Sequence, residues 1–262
     1  MTGPRHLLDA WPVLRREFAD PRRVALFSDF DGTLVRIQRR PGGVRLSRPL
    51  RRLLGSLAHA GAVVGVISGR RLADARTRVG VRGIWYAGVH GYFLQNPANR
   101  RFTLLNPTEQ ALIRRAGRKL LHQLRGIPGI AVEAKGATVA VHYRGASREH
   151  VAHARRVVTR FREEMPGLRL MEGKKVWELL PEHEVDKWMA IQFILKRERK
   201  KCASAGRTLV YLGDDTTDER VFRRMHGISV AVGRRHRTAA RFFLRSPAEV
   251  RQFLERVTED WR

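Results

Sequence analysis

Short apolar runs alternate with segments of helical periodicity over the first and last thirds of the chain. Five runs are rich in β-branched and aromatic residues: 24–30, 63–67, 84–87, 208–212 and 228–232. The spacing of apolar residues predicts helices over 49–60, 72–79, 218–225 and 247–257. Runs that are apolar on both faces are typical of parallel strands covered by helices. The alternation therefore predicts an α/β fold with a Rossmann-like parallel-sheet core.

The middle third departs from this alternation. Predicted helices over 108–124 and 148–161 alternate with two pairs of short strands, 130–134 with 138–143 and 168–171 with 175–179. Gly136 and Gly173 lie in the short turns between the strands of each pair, as is typical of hairpins. The order helix, two strands, helix, two strands indicates an α/β cap inserted at 107–181, between core segments 1–106 and 182–262.

The chain is strongly basic, with 52 lysines and arginines against 25 acidic residues and a net charge of +27 over 262 residues. Such a field attracts anions, which include phosphate esters, nucleic acids and anionic lipids. The basic residues are spread along the sequence without forming one tail or one aromatic-interleaved stripe. An arginine bias at solvated positions is the simpler explanation, and nucleic-acid binding is expected only as non-specific charge attraction.

Features that would direct the chain to a membrane or out of the cell are not found in the sequence. No apolar run approaches the roughly 20 residues that cross a bilayer, and residues 1–14 lack the apolar segment of a signal peptide. Cys202 is the single cysteine, which excludes an intrachain disulfide. We therefore expect a cytoplasmic protein without a membrane partner, and the sequence leaves its oligomeric state open.

The first cluster of candidate chemistry directly follows the first buried run. Asp29 and Asp31 flank Phe30, and Gly32 and Thr33 come next. In an open parallel sheet, ligands bind outside the carboxyl ends of the strands. Two neighbouring carboxylates at such an end are costly unless a cation pairs with them, and oxygen ligands suit Mg²⁺. A simple strand-to-turn junction is the alternative explanation of this Asp-Gly sequence.

A second acidic cluster follows the run at 208–212. Asp214, Asp215, Asp218 and Glu219 lie within six residues of one another. Acidic residues are favoured in the first turn of a helix, which accounts for Asp218 and Glu219. That explanation does not cover Asp214 and Asp215, so the cluster again indicates a cation.

Two further positions suit an anion. Ser68, Gly69 and Arg70 follow the second strand and offer a hydroxyl and backbone N–H groups at a helix start, although Ser-Gly is also an ordinary turn. Lys187 is near the start of a predicted helix. A cation there opposes the helix dipole, which favours a nearby counter-anion.

These four motifs, in this order, resemble the haloacid dehalogenase superfamily of phosphatases. The resemblance rests on DFDGT at 29–33, Ser68 at a strand end, Lys187 and GDDTTDE at 213–219. It implies that Asp29 is the nucleophile that forms an aspartyl phosphate, and that Asp31 is the general acid and base. It further implies that Ser68 and Lys187 bind the phosphoryl oxygens.

The same resemblance implies a Mg²⁺ site. Its expected ligands are Asp29, the backbone carbonyl of Asp31, and Asp214, with Asp215 contributing directly or through water. Thr33 and Asp218 are expected to support these ligands. The cation would shield the phosphoryl group from the attacking carboxylate.

Within the superfamily, the chain resembles the trehalose-6-phosphate phosphatases over roughly 20–257. VISGR at 66–70, AGVHG at 87–91, VEAKGATVAVHYR at 132–144 and EGKKVWELLP at 172–181 carry this resemblance. It implies a sugar site in the cap. The residues expected to contact the substrate are Gly69, Arg70, His90, Glu133, Lys135, Lys174 and Glu178. His142 and Arg144 are weaker candidates, and His90 is equally explained as a structural histidine.

The sequence departs from that family at two places. Trp188 follows Lys187 where the family usually has glycine, and Tyr92-Phe93 replaces a small residue and an acid. The resemblance as a whole still implies Mg²⁺-dependent hydrolysis of trehalose 6-phosphate to trehalose and phosphate. Another sugar phosphate, such as sucrose phosphate or glucosylglycerol phosphate, is the alternative. A nucleic-acid-binding protein or a polynucleotide-end phosphatase is a more distant one, supported by the net charge alone.

Overall fold

The computed structural model describes residues 3–38, 43–173, 175–198, 206–233, 237–259 and 261. Within these ranges the strands are β1 Arg5–His6, β2 Val24–Ser28, β3 Val63–Ile67, β4 Trp85–Gly88, β5 Phe93–Gln95, β6 Arg101–Thr103, β7 Ala131–Ala134, β8 Val139–His142, β9 Leu168–Gly173, β10 Val176–Pro181, β11 Thr208–Gly213, β12 Ile228–Val232 and β13 Phe242–Leu244. The helices are α1 Trp11–Leu14, α2 Arg48–His59, α3 Leu72–Val79, α4 Pro107–Gln123, α5 Arg148–Glu164, α6 Lys187–Glu198, α7 Asp218–Arg224 and α8 Pro247–Glu259. Cys202 lies outside the described residues.

The chain divides into two units. One comprises residues 1–102 and 185–262, and the other comprises residues 103–184. The first contains most of a nine-stranded sheet with the order β1-β13-β12-β11-β2-β3-β4-β5-β6. In this order, every neighbouring pair from β1 across the sheet to β4 is parallel, and β5 runs antiparallel to β4. The predicted α/β class with a parallel-sheet core is confirmed.

Buried apolar side chains hold this first unit together. Strands β2 and β3 are buried along their whole length, which explains why their sequences are apolar without alternation. Leu50, Leu54 and Leu57 form the buried stripe of α2, as their i, i+4, i+7 spacing predicts. Each such leucine contributes about 1.5–3 kcal/mol by leaving water.

The second unit is a four-stranded antiparallel sheet, β7-β8-β10-β9, with α4 and α5. Val139, Val141, Trp177 and Leu179 point to the helix side and join its apolar core. Because side chains alternate along a strand, the residues between them face the other way. Helix α4 begins with a capping box, in which the Asn106 side chain accepts a hydrogen bond from the Glu109 backbone N–H at 2.9 Å.

Most predicted elements agree with the structure to within a few residues, and the shortest ones were missed. Strands β1, β5, β6 and β13 have two or three residues each. Such short segments show no periodicity of their own, because neighbouring strands fix them in place. None of the helices in the described ranges combines the length and the apolar character needed to span a bilayer.

Candidate active site

The register of the central strands brings three motifs to one edge of the sheet. Ser28 pairs with Leu212 of β11 and with Val66 of β3. The chain therefore leaves β2, β3 and β11 at neighbouring points. The backbone N–H of Asp29 continues the pairing by donating to the Leu212 carbonyl at 2.9 Å. The first carboxylate motif and the second acidic motif are thus adjacent in space, although they are far apart in sequence.

Lys187 lies between two buried carboxylates. Its Nζ donates to Oδ1 of Asp29 at 2.9 Å and to Oδ1 of Asp218 at 2.7 Å. The side chains of Lys187 and Asp218 are 2% and 0% exposed, so the positive charge of Lys187 is needed to offset buried negative charge. Burial lowers the pKa of Lys187, but the attraction of Asp29 and Asp218 outweighs it and the pKa is raised. The ammonium group therefore stays charged at every physiological pH.

Asp29 has a strongly perturbed carboxyl group. Burial raises its pKa well above the usual value for an aspartate, Lys187 acts in the opposite direction, and Asp218 and Asp214 raise the pKa further. One oxygen of Asp29 accepts from Lys187. Oxygen atoms of Asp29, Asp214 and Asp218 lie within 4.8 Å of one another, as in a site that could hold a metal ion.

Asp218 organises the loop that carries the second acidic motif. Its Oδ2 accepts from the backbone N–H groups of Asp214 and Asp215 at 2.8 and 2.9 Å. Its Oδ1 accepts from Lys187 and from the Tyr211 hydroxyl at 2.6 Å. Asp218 thus shapes the loop and positions the lysine. Sequence reasoning missed Tyr211, although a tyrosine in a buried strand requires a partner for its hydroxyl.

Asp214 lies in a buried and acidic environment. Burial raises its pKa to about 6, the charges of Asp218 and Asp215 add to that rise, and a hydrogen bond from Thr33 opposes it. Thr33 Oγ1 donates to Asp214 Oδ1 at 3.0 Å. A carboxylate in this state fits a hard cation, since a metal ion would offset the repulsion. Asp29 and Asp214 thus offer the oxygen donors that a magnesium ion takes.

Asp215 has a different environment from Asp214. Its Oδ1 accepts from the Thr217 backbone N–H at 2.7 Å and from the Thr217 hydroxyl at 2.6 Å. Burial raises its pKa, but Lys187 and the hydrogen bonds from Thr217 outweigh it and the pKa is lowered. This oxygen of Asp215 stabilises the turn that leads into α7.

Asp31 is held by Arg70. Arg70 Nε donates to Asp31 Oδ2 and Nη2 donates to Asp31 Oδ1, both at 2.6 Å. Two short parallel bonds of this kind fix both the position and the plane of a carboxylate. Arg70, which was expected to contact substrate, thus contacts the expected acid and base in the structure. The hydrogen bonds that Arg70 donates to Asp31 and Asp74 raise the pKa of Arg70 despite its burial, with that to Asp31 the larger cause.

Ser68, Gly69 and His90 form the remaining wall of this site. The His90 backbone N–H donates to the Ser68 carbonyl at 3.0 Å. The His90 ring lies so close to Gly69 that a Cβ on Gly69 would be 2.7 Å from it. Val89 and His90 have φ angles of 50° and 58°, which are costly for residues other than glycine. The backbone hydrogen bond to Ser68 and the contact with Gly69 hold the histidine in this conformation.

The expected sugar-contacting residues lie in the second unit. Glu133 and Glu178 both pair with Ala140 in the register, so they share the face of the sheet opposite the helices. Glu178 is 5% exposed and accepts from Lys135 Nζ at 3.0 Å and from Thr138 Oγ1 at 2.6 Å. Sequence reasoning missed Thr138. Lys174 lies outside the described residues.

The structure shows the contacts or exposure of His142 and of two residues that depart from the family pattern, Tyr92 and Trp188. His142 Nε2 lies 3.2 Å from Glu133 Oε2, on the same face of the sheet. Tyr92 is fully buried, and its hydroxyl oxygen accepts from the Val185 backbone N–H at 3.4 Å. It is therefore a core residue. Trp188 is partly exposed on the first turn of α6.

Comparisons with known proteins agree on one family. The family model described as trehalose-phosphatase matches residues 27–248. The trehalose-phosphate phosphatases of Mycobacterium tuberculosis and Mycobacterium avium are each 39% identical to the chain, over 92% and 91% of it. The chain spans 63% of the length of these relatives.

Solved structures show the same fold. The C-terminal domain of the Candida albicans trehalose-6-phosphate phosphatase superposes with a TM-score of 0.70 at 22% identity, and 98% of each chain is covered. The Aspergillus fumigatus trehalose-6-phosphate phosphatase gives a TM-score of 0.63 at 24% identity, with 98% of this chain and 100% of that chain covered.

Proposed function

The chain belongs to the trehalose-phosphatase family, and on this premise we propose that it hydrolyses trehalose 6-phosphate to trehalose and inorganic phosphate. The observation that carries the proposal is a group of three charged side chains: Asp29 and Asp214, which follow the adjacent strands β2 and β11, and Lys187 at the start of α6. A nucleophilic carboxylate, a fixed cation and a pair of carboxylates suited to a metal ion fit the transfer of a phosphoryl group.

In the first half of the proposed reaction, a carboxylate oxygen of Asp29 attacks phosphorus. The bond from phosphorus to the sugar oxygen breaks, and Asp31 gives its proton to that oxygen. Trehalose leaves, and an aspartyl phosphate remains on Asp29. Lys187 and Ser68 offset the charge on the phosphoryl oxygens during this step.

In the second half, water attacks the phosphorus of the aspartyl phosphate. Asp31, now ionised, takes a proton from the water, and the bond between Asp29 and phosphorus breaks. Inorganic phosphate leaves, and Asp31 again carries the proton needed for the next cycle. One residue thus acts as acid and then as base, so atoms and charge balance over the cycle.

We propose that Mg²⁺ is the cofactor and that Asp29 and Asp214 hold it, together with the backbone carbonyl of Asp31. When bound, the cation neutralises phosphoryl charge that would otherwise repel the attacking carboxylate. The raised pKa of Asp214, caused first by burial and then by its acidic neighbours, supports this proposal. Lys187 is held beside Asp29 by its hydrogen bond to Asp218.

We propose that the second unit supplies the sugar specificity through Glu133, Lys135 and Glu178, with Lys174 as a further candidate. These side chains offer charged donors and acceptors for the many hydroxyl groups of a disaccharide. Glu178 holds Lys135 and Thr138 by hydrogen bonds, so the polar face of this sheet is already ordered. Ordered groups bind with a smaller entropic cost.

Phosphate release from a panel of substrates tests the proposal. The panel contains trehalose 6-phosphate, sucrose 6-phosphate, glucose 6-phosphate, glucosylglycerol phosphate and a 5′-phosphorylated oligonucleotide, each with Mg²⁺ and with EDTA. We expect strong preference for trehalose 6-phosphate, and a loss of at least about 1,000-fold in Asp29→Asn. Preference for another sugar phosphate would reassign the cap while keeping the chemistry. Full activity in Asp29→Asn would reject the mechanism.

A further inference from the structure

A chain of ion pairs leads away from Asp31 along helix α3. Arg70 uses Nε and Nη2 for Asp31, and its third nitrogen, Nη1, donates to Asp74 Oδ2 at 3.1 Å. The other oxygen of Asp74, Oδ1, accepts from Arg78 Nε at 2.6 Å. Arg78 Nη1 in turn donates to the Val44 carbonyl at 2.9 Å. Asp31 is thus connected to the backbone of a different segment through three charged side chains.

The geometry points to a defined role for the middle member of this chain. We propose that Asp74 is a positioning residue for the proton transfers of Asp31, and that it acts by fixing the orientation of the Arg70 guanidinium. This inference rests on the proposed role of Asp31 as general acid and base. It assigns a contribution to a residue that does not touch the reacting atoms.

Three observations support an orienting role for Asp74. First, a guanidinium group is planar, so fixing Nη1 also fixes the plane of the Nε and Nη2 donors that hold Asp31. Second, the Arg70 and Arg78 side chains are only 15% and 14% exposed, so water competes little for their N–H groups. Third, the Arg70 guanidinium lies 5.8 Å from the centre of the Phe30 ring, which supports the same orientation from one face.

An ordinary helical ion pair is the competing explanation. Asp74 lies in the first turn of α3 and Arg78 lies four residues later, so the pair would add a few tenths of a kcal/mol to helix stability in any case. The second oxygen of Asp74 also has a partner four residues away, but this partner precedes the helix and holds Asp31 with its other donors. In the structure this oxygen points to Arg70, which belongs to the candidate site. The two explanations differ in what they predict for catalysis.

The leaving group provides the test. A sugar alkoxide requires a proton as the phosphorus–oxygen bond breaks, whereas the phenolate of 4-nitrophenyl phosphate is stable without one. A variant that misplaces Asp31 should therefore slow formation of the aspartyl phosphate from the first substrate much more than from the second, whereas hydrolysis of that intermediate is common to both. For Asp74→Asn we expect the rate of leaving-group release, measured in single turnovers by rapid quench, to fall about 10-fold with trehalose 6-phosphate and less than about 2-fold with 4-nitrophenyl phosphate.

Two variants make the result interpretable. Glu255→Gln removes the same charge from an i, i+4 pair with Arg251 on α8, whose Nε–Oε1 distance is 2.7 Å. We expect this variant to leave the rates with both substrates unchanged. Asp74→Glu restores the charge and should recover part of the loss. Thermal unfolding of all variants shows whether they fold.

The outcomes separate this inference from the proposed function. If Asp31→Asn abolishes turnover of the sugar phosphate and Asp74→Asn slows release of both leaving groups equally, the positioning role is wrong while the mechanism stands. Unchanged release rates in Asp74→Asn would exclude the positioning role in the same way. If Asp31→Asn retains full activity, the proposed function fails first.

Discussion

Gly32 faces the carboxylate of Asp214 so closely that a Cβ at position 32 would lie 2.0 Å from Oδ2. Gly32 also has a φ of 92°, which side chains rarely adopt. We expect Gly32→Ala to displace Asp214 and to abolish phosphatase activity. Gly83→Ala is the matched control, because Gly83 has a φ of 79° with nothing within 4 Å of its added Cβ. It should cost about 1 kcal/mol of stability and keep full activity.

The comparison separates two effects of an added methyl group. Both variants carry the cost of an unfavourable φ angle, and only Gly32→Ala disturbs a carboxylate. Steady-state rates and urea unfolding of the two proteins measure the difference. Equal activity in both variants would show that Asp214 does not need its present position.

Asp214→Asn is expected to stabilise the metal-free protein at alkaline pH while it abolishes activity. The folded-state pKa of Asp214 is raised from 3.8 to about 6 by burial first and by acidic neighbours second. Between these two pH values the folded state binds more protons than the unfolded state, so stability falls as pH rises through this window. Above pH 6 the ionised group costs about 1–3 kcal/mol, a cost that asparagine does not have.

Urea unfolding in EDTA measures this effect. The free energy of unfolding of the variant should exceed that of the wild type at pH 8, and the two values should converge near pH 4. Asp20→Asn is the control, because this exposed residue accepts from the Arg22 backbone N–H at 3.0 Å and asparagine replaces it well in that role. A less stable Asp214→Asn protein at pH 8 would contradict the electrostatic account.

In the wild type, Mg²⁺ affinity should weaken below about pH 6, where Asp214 takes up a proton.

Lys187→Met is expected to destabilise the fold as well as abolish turnover. Asp29 and Asp218 would be left buried without their cation, which costs about 3–5 kcal/mol near neutral pH. The loss of stability should be smaller at acid pH, because Asp29, whose pKa is raised by burial, then becomes neutral. Lys196→Met, on the same helix and exposed, should change neither stability nor turnover appreciably. Equal unfolding midpoints for the two variants at pH 7.5 would refute this account.

The sequence predicted the elements whose pattern is set locally. Strands β2, β3, β11 and β12 appear as apolar runs because both faces are covered, and glycine and acidic residues mark their ends. The motif order then predicted which side chains meet at the sheet edge. Strands such as β1 and β13 escaped prediction, because a two- or three-residue segment becomes a strand only through its neighbours.

The supporting contacts of the site were harder to predict than its motifs. Tyr211 is one of several aromatic residues in buried strands, and only the folded chain shows its hydroxyl against Asp218. In the sequence, Asp74 is typical of a first-turn acid in an ordinary helix, and Arg70 is typical of an anion-binding residue. Their mutual contact spans only four residues, but the contact of Arg70 with Asp31 joins two separate segments of the chain, which no local pattern encodes.

Glu178→Gln tests the sugar site through KM. Glu178 is 5% exposed and accepts from both Lys135 and Thr138, so an amide at this position retains an acceptor but loses the charge that holds the lysine. We expect KM for trehalose 6-phosphate to rise about 10-fold, corresponding to about 1.4 kcal/mol of lost binding. KM for 4-nitrophenyl phosphate, which has no sugar, should stay within about 2-fold.

Glu172→Gln is the matched control, since Glu172 lies on the neighbouring strand, pairs with Arg155 at 2.9 Å and faces the helix side. It should alter neither KM. An equal rise for both substrates in Glu178→Gln would mean that this carboxylate supports folding and does not contribute to sugar recognition.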